Sequence, residues 1–386
     1  MTETGVPLRA IYQRVEERNR ADLPLLSVYR EFGVVLREGR DDNNNVASED
    51  LSSYKVVCPG DLVLNKMKTW QGSLGVSSFQ GIVSPAYFVG RRIADVDDHF
   101  MHHLLRSAPM IAEYGSRSKG IRPNQWDLSW DEFAAIKIDL PTRSKQTAIA
   151  NFLDSELSKI EALISKKQRL HELLDERLIS LVNALFHSRN TEKTIPLKFV
   201  SKIISGQSPP EETYNEEGNG LPLVNGPAEF TDGDWGTTLS IRWTTDPRAT
   251  APKGTILFCL RGATTGRLNR ANDLIAAGRG VAGLKGVAID DESLFFAVFA
   301  LRGDVIGQAN GSTFPSVTSE QLGRLLIPAL SHSEFVERRI VASSALEQRN
   351  ELVHCVSRQI SLLQERRQAL ITEAVTGKLD ITGAAA

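Results

Sequence analysis

The sequence predicts an α+β chain: two similar strand-rich domains separated by two long antiparallel helices forming a coiled coil, with a pseudo-twofold internal repeat. Three observations carry this. The second half replays the first at a lag of roughly 190 residues, far beyond the period of a solenoid repeat. In each copy a segment of short apolar runs gives way to a stretch with helical spacing and almost no Gly or Pro. Each globular segment closes on a strand ending in proline, Ile138-Asp139-Leu140-Pro141 and Leu325-Leu326-Ile327-Pro328, where a helix can begin.

The first copy opens on Val6-Pro7-Leu8-Arg9-Ala10-Ile11, and the second on Ile195-Pro196-Leu197-Lys198-Phe199-Val200. Within 1–141, Leu25 to Val28, Gly33 to Leu36, Leu62 to Leu64 and Ile82-Val83 read as strands between turn-forming residues. Helices are expected over Phe100 to Ser116 and Trp130 to Ala135, and Asp41 to Asn45 reads as a polar loop. Residues 142–190 form the central spacer helix, whose apolar positions include Leu153, Ile160, Leu174 and Leu181. At 1.5 Å per residue such a helix reaches about 60 Å. Residues 191–328 repeat the strand-rich pattern in Leu223-Val224, Ile256 to Leu260 and Phe295 to Leu301, with Gly254 to Phe258 answering Gly60 to Leu64. In 329–378, Leu352, Val356, Ile360 and Leu363 mark the distal helix, stopped by Gly377. Each helix has one apolar face and needs a partner. The economical solution is that the two pack on each other as a rod with a domain at each end; the alternative is that each packs on its own domain. Residues 379–386 read as a flexible tail.

Of 386 residues, 41% are hydrophobic, ordinary for packed domains. No apolar run is long enough to span a membrane and the N-terminus lacks a signal-peptide pattern, so a cytoplasmic protein is expected. Cys58, Cys259 and Cys355 have neither disulfide-framework nor zinc spacing. The net charge of −2 conceals local asymmetry: Lys55 to Arg122 holds nine basic residues against five acidic, and Lys253 to Lys285 six against one. A basic face on a neutral body can track phosphates.

No P-loop, GxGxxG turn, HExxH helix or GxSxG elbow is present. His99, His102 and His103 read as helix surface, and Asp95, Asp97 and Asp98 as helix caps. Asn225-Gly226-Pro227-Ala228 has Gly at the second position and no aromatic at the fourth of the Asn-Pro-Pro-aromatic tetrad of amino-methylating enzymes, so it is not that site.

The candidate contacts are basic and amide residues mixed with aromatics, in comparable places in both copies. After the Gly-led strand come Lys66, Lys68, Trp70 and Gln71 in one copy, and Arg261, Thr264, Thr265 and Arg267 in the other. Before the closing strand come Arg117, Lys119, Arg122, Asn124 and Gln125, then Asn310, Ser312 and Thr313. Such side chains suit phosphates and base edges, with Arg or Lys favouring guanine and Gln or Asn favouring adenine. Trp70 and Trp126 also read as packing residues.

In order along the chain, Leu25 to Val35, Gly60 to Met67 with Trp70-Gln71-Gly72, Gly81 to Tyr87 and Gln146 to Asp154 resemble the specificity subunit of type I restriction-modification enzymes, over nearly the whole chain. The resemblance implies two target-recognition domains, each reading half of a split site in double-stranded DNA and held apart by the helices. It implies docking of two methyltransferase subunits on those helices and, through them, nuclease/translocase subunits. The chain itself would have no catalytic site, metal or cofactor; S-adenosylmethionine, ATP and Mg would belong to the partners, which methylate adenine and cut DNA. The second copy departs from the pattern, with Gly280-Val281-Ala282-Gly283-Leu284 in place of Gly81 to Tyr87 and a shorter second loop. The competing reading is a coiled-coil scaffold with two protein-binding domains.

Overall fold

Contacts divide the chain into two units, Met1–Lys167 with Ser357–Ala386, and Gln168–Val356. The structure, a computed structural model, describes residues 5–37, 50–120, 126–187, 193–231, 233–308 and 316–381. The polar loop expected at Asp41 to Asn45 lies outside them. Among the described residues no helix is long and apolar enough to cross a membrane.

In the first unit, β1 (Val6–Pro7) and β2 (Tyr12–Val15) flank one 3-10 turn at Leu8–Ala10. There follow β3 (Leu26–Tyr29), β4 (Gly33–Leu36), β5 (Lys55–Val57), β6 (Leu62–Asn65), β7 (Leu74–Val76), β8 (Gly81–Val83) and β9 (Tyr87–Arg92). Three short helices, α1 (Asp98–Leu105), α2 (Ala108–Arg117) and α3 (Trp130–Ala134), precede β10 (Lys137–Ile138) and the long α4 (Arg143–Phe186). The central antiparallel sheet has the order β2-β9-β6-β7, β3 pairs with β4 and β5 with β8, and β10 returns to β1 with Ile138 opposite Val6. Gly90 sits opposite Leu62 in that sheet, and a Cβ there would lie 2.7 Å from the Trp130 ring, so the glycine gives that indole its place.

Asp97 caps α1, accepting hydrogen bonds from the backbone of His99 and Phe100 at 3.1 Å each. It also accepts from Arg143 and Thr147 at the start of α4. Burial pushes its carboxyl up, but the hydrogen bonds from Arg143, the Phe100 backbone and Thr147, with the Arg143 charge, together outweigh this and hold it below the usual range. One aspartate thus ties the short helices to the long one. The single helical stretch expected over Phe100 to Ser116 is broken between α1 and α2, where Ser107 turns the chain and Pro109 restarts it.

In the second unit come β11 (Thr194–Pro196), β12 (Ser201–Ser205), β13 (Tyr214–Asn215), β14 (Leu221–Val224), β15 (Trp243–Thr244), β16 (Thr250–Ala251), β17 (Ile256–Cys259), β18 (Leu268–Arg270), β19 (Ile275–Ala277) and β20 (Val281–Gly286). They are followed by α5 (Asp291–Ala300), α6 (Arg302–Gln308), α7 (Ser319–Arg324), β21 (Leu326–Pro328) and α8 (His332–Val375). The sheet order β12-β20-β17-β18 reproduces β2-β9-β6-β7 strand for strand, and β11 pairs with β21 as β1 does with β10. The duplication read in sequence is therefore a duplication of topology.

That correspondence corrects the register expected for the second copy. Val281 begins β20, the counterpart of β9, so Gly280 to Leu284 answers Tyr87 onward rather than Gly81. The counterpart of Gly81–Val83 is Ile275–Ala277, since each pairs antiparallel with the strand before the central one. Phe295 to Leu301, expected as a strand, lies in helix α5 and its C-cap, started by Asp290 accepting from the backbone of Glu292 and Ser293. Ser293 to Leu301 are all buried. A helix apolar on every side has no 3.6-residue pattern to betray it, and a short apolar run alone does not separate strand from buried helix.

Both long helices have 44 residues, and each contributes one part to each unit. In the first unit Ile149, Leu153 and Leu157 of α4 and Ile371, Ala374 and Val375 of α8 share one core with Leu104 and Tyr114. Glu161 pairs with Arg367 at 3.5 Å, and Lys167 donates to Gln359. In the second unit Leu178, Val182 and Phe186 of α4 join Phe335 and Ala342 of α8 and the α5 phenylalanines. Arg349 Nε donates to Asp175 at 2.7 Å, and Arg338 donates to the Leu185 carbonyl. In each unit partners rise along one helix as they fall along the other, so the helices are antiparallel. Both sequence readings of the helices hold: they pack on each other, and their ends are core elements of the domains. Ile381, expected in a flexible tail, is buried in the first unit's core, and Lys378 and Leu379 donate their backbone N–H groups to the Glu373 carbonyl. Residues 382–386 of that tail lie outside the described residues.

His102 of α1 lies against Gly33, where φ is +75° and a Cβ would meet the ring at 2.6 Å. Arg106 Nη1 donates to His102 Nε2 at 2.8 Å, which leaves the proton on Nδ1, 3.4 Å from the Val76 carbonyl. Burial, then the Arg106 charge, push the imidazole down to about 3. An unfolded chain takes up this proton near pH 6.5 and the folded one does not, so stability is lost as pH falls from about 6.5 toward 3, by up to about 1.4 kcal/mol per pH unit. Denaturant unfolding at a series of pH values is expected to show this decline in the wild type and a shallower one in His102→Gln. Equal slopes would contradict the assignment.

Candidate nucleic-acid interface

In the first unit the loop after β6 is wound tightly. Lys68 N–H donates to the Asn65 carbonyl at 3.0 Å, the buried Thr69 hydroxyl donates to the same carbonyl at 2.7 Å, and Gly72 closes the turn at φ +90°. With its backbone folded inward, this loop leaves Lys66, Met67 and Lys68 exposed. The second candidate loop is held beside it. Lys119 and Asp127 exchange backbone hydrogen bonds at 3.0 and 2.9 Å, Leu128 N–H donates to the Lys66 carbonyl, and Lys66 pairs with Asp127 at 2.9 Å.

Trp70 and Trp126 meet across the two loops with ring centroids 5.0 Å apart, and the Trp70 indole donates to the Met67 carbonyl. The packing reading of both rings is therefore correct, yet Trp126 remains 36% exposed at the rim. Arg117 pairs with Glu113 at 2.6 Å, and both Arg117 and Lys119 approach Glu132, at 3.6 and 3.4 Å. Gln71 is engaged differently, its Oε1 accepting from Arg30 at 2.6 Å. Arg122, Asn124 and Gln125 lie outside the described residues.

The second unit repeats the arrangement with other residues. The loop between β17 and β18 turns on Gly262 and Gly266, at φ +83° and +91°. Arg261 is exposed and forms a bridge with Ser316, while Val317 N–H donates to the Leu260 carbonyl, again bringing the two loops together. Thr265 is buried, with its hydroxyl donating to the Gly262 carbonyl, so it serves the turn rather than a base edge. Thr264 is half-buried, and Arg267 donates to the Thr231 carbonyl at 3.2 Å. Asn310, Ser312 and Thr313 lie outside the described residues.

Arg279 was missed in the sequence. It sits exposed between two glycines and lines a cavity of about 480 Å³ with Arg261, Ser316 and Ser319. Its signal, a lone arginine in Gly278-Arg279-Gly280, was hidden by the shifted register of that segment.

The helix positions divide by burial. Leu153, Ile160 and Val356 are buried within the chain; Leu174, Leu181, Ile360 and Leu363 are half-buried, and Leu352 is exposed. Leu163 in the first unit and Leu170 and Leu173 in the second are exposed apolar residues like Leu352, and of these Leu173 lies off the stripe read in the sequence. Among the described residues no cluster of His, Cys, Asp and Glu is arranged to hold a metal ion. His99 and His103 bond Asp154 of α4, at 2.7 and 2.9 Å.

No family model matches the chain. A Methanocaldococcus jannaschii protein, the candidate specificity subunit of the type I restriction enzyme MjaX, is 22% identical over 369 residues, 87% of this chain and 82% of that protein. A solved chain from work on complex assembly and conformational transition of the type I restriction-modification system superposes with a TM-score of 0.75 at 20% identity, covering 98% of this chain and 100% of that one. The crystal structure of the HsdS subunit from Thermoanaerobacter tengcongensis gives 0.53 at 20% identity, covering 97% and 96%. The fold is that of a type I restriction-modification specificity subunit. The family named from the sequence motifs is the one these comparisons return.

Several candidate cations are neutralised by neighbouring acids before any ligand arrives. Asp127→Asn frees Lys66, and Glu132→Gln frees Arg117 and Lys119 of one partner. In a DNA-binding titration each substitution is expected to raise affinity several-fold at low salt and steepen the log K against log salt slope by up to about 0.9 per cation freed. Unchanged affinity and slope would remove these lysines from the interface.

Proposed function

We propose that the chain is the DNA-reading, non-catalytic subunit of a type I restriction-modification complex, with each copy of the repeat reading one half of a bipartite target. The observation that carries this is the shared constellation on two copies of one topology. In each, the loop after the Gly-led central strand is hydrogen-bonded to the loop before the closing helix, and the joined pair presents basic side chains outward. Where the copies differ, Lys68 and Trp126 against Arg261 and Arg279, the half-sites would differ.

In this reading the exposed apolar residues of the helices dock two methyltransferase subunits, and nuclease/translocase subunits join through them. S-adenosylmethionine, ATP and Mg serve those partners, and the setting is the cytoplasm. A coiled-coil scaffold with protein-binding domains has no comparable use for paired basic loops.

Fluorescence anisotropy with duplex DNA over a salt series tests the proposal. Affinity is expected to fall steeply with salt, and Lys68→Ala and Arg261→Ala are each expected to reduce the slope by about one and to weaken binding across sequences. Absence of DNA binding even with the methyltransferase subunit present would favour the scaffold.

A further inference from the structure

A second charged site lies in the first unit, between the reading loop and the helix pair. A cavity of about 470 Å³ is lined by three arginines from three different elements: Arg30 after β3, Arg106 after α1 and Arg367 of α8. Arg106 has two of its nitrogens committed, Nη1 to His102 and Nη2 to the Arg30 carbonyl. Its Nε is buried with no partner among the described residues, and the same is true of Arg367 Nε. A buried guanidinium donor without an acceptor is costly, and two in one cavity repel each other besides. Burial first, then the Arg367 charge, depress Arg106 to about 10.

The carboxylates that line the same space do not answer these donors. Asp154 accepts from His99 and His103, and Glu161 approaches Arg367 only through Nη2, at 3.5 Å. Glu31 raises the Arg106 pKa electrostatically without bonding its Nε. Both unpartnered Nε atoms are closed to solvent, so a ligand in the cavity meets the guanidinium nitrogens that open onto it. Guanidinium groups converging from separate elements suit a tetrahedral oxyanion, each fork offering parallel N–H donors.

We infer that this cavity is a binding site for a phosphate-class oxyanion, held between Arg106 and Arg367 with Arg30 at its mouth. Occupancy would also reach the reading loop, because Arg30 donates to Gln71. The site itself rests on the cavity and its donors, and stands or falls apart from the DNA-reading proposal.

Isothermal titration of the full chain with inorganic phosphate, at ionic strength matched by chloride, tests this, with adenosine monophosphate as a second arm. Saturable phosphate binding is expected, weakened about tenfold or more in Arg106→Gln and in Arg367→Gln and less in Arg367→Lys. Adenosine monophosphate binding with the same dependence would assign the site to phosphate esters; phosphate binding alone would assign it to the free ion. Should Arg106→Gln fail to fold, Arg367→Gln decides, since that side chain is 23% exposed on the long helix. No saturable binding in the wild type, or equal binding in wild type and Arg367→Gln, would overturn the site.

Discussion

Burial of the apolar stripes on two 44-residue helices is the constraint on which the rest depends. A helix of this length carries apolar side chains along its course, and in a protein most of its stability comes from packing them. Its solution differs along its length. In the first unit Leu153 and Leu157 meet Ile371 and the domain core, while in the second Leu178, Val182 and Phe186 meet Phe335, Ala342 and the α5 phenylalanines. Each helix is therefore a structural part of both units. Polar contacts such as Asp97 with Arg143 and Asp175 with Arg349 fix the register that apolar burial alone leaves loose.

With the sheets and helices committed to packing, the exposed basic residues lie on loops that the scaffold holds by backbone hydrogen bonds. Thr69 and Thr265 do the same work in the two copies: each is buried and donates its hydroxyl within its own turn, so neighbouring side chains can change without loss of loop shape. The cations on those loops are not bare. Lys66, Arg117 and Lys119 sit against Asp127, Glu113 and Glu132. Exposed pairs of this kind are worth little in themselves, so a polyanion can displace them.

Much of this was legible in the sequence because it rests on periodicity and punctuation. The lag of the repeat, the loss of Gly and Pro after Pro141, and the prolines before each long helix gave the duplication and the two helices; that each helix is divided between two units depends on tertiary contacts the pattern does not carry. Failures occurred where pattern carries no information. Phe295 to Leu301 has no alternation, because α5 is apolar on every side. Gly280 attracted the wrong register, because the true counterpart, Ile275 to Ala277, has no leading glycine while the next apolar run does. At the interface, residue type selected Lys66, Lys68 and Arg261 correctly as exposed, and could not distinguish Thr265, which is spent inside its turn, from Thr264. The acids opposing the lysines are distant in sequence and become neighbours only through the Lys119–Asp127 pairing.

Two copies of one domain that read two different half-sites for a methylating complex would leave their signature in the host's DNA. Mapping methylated adenines across the host genome, with and without this chain, tests it most directly. Removal of the chain is expected to abolish methylation at one motif made of two unlike parts separated by unread bases. An unchanged methylation pattern, or loss at a single uninterrupted motif, would contradict it.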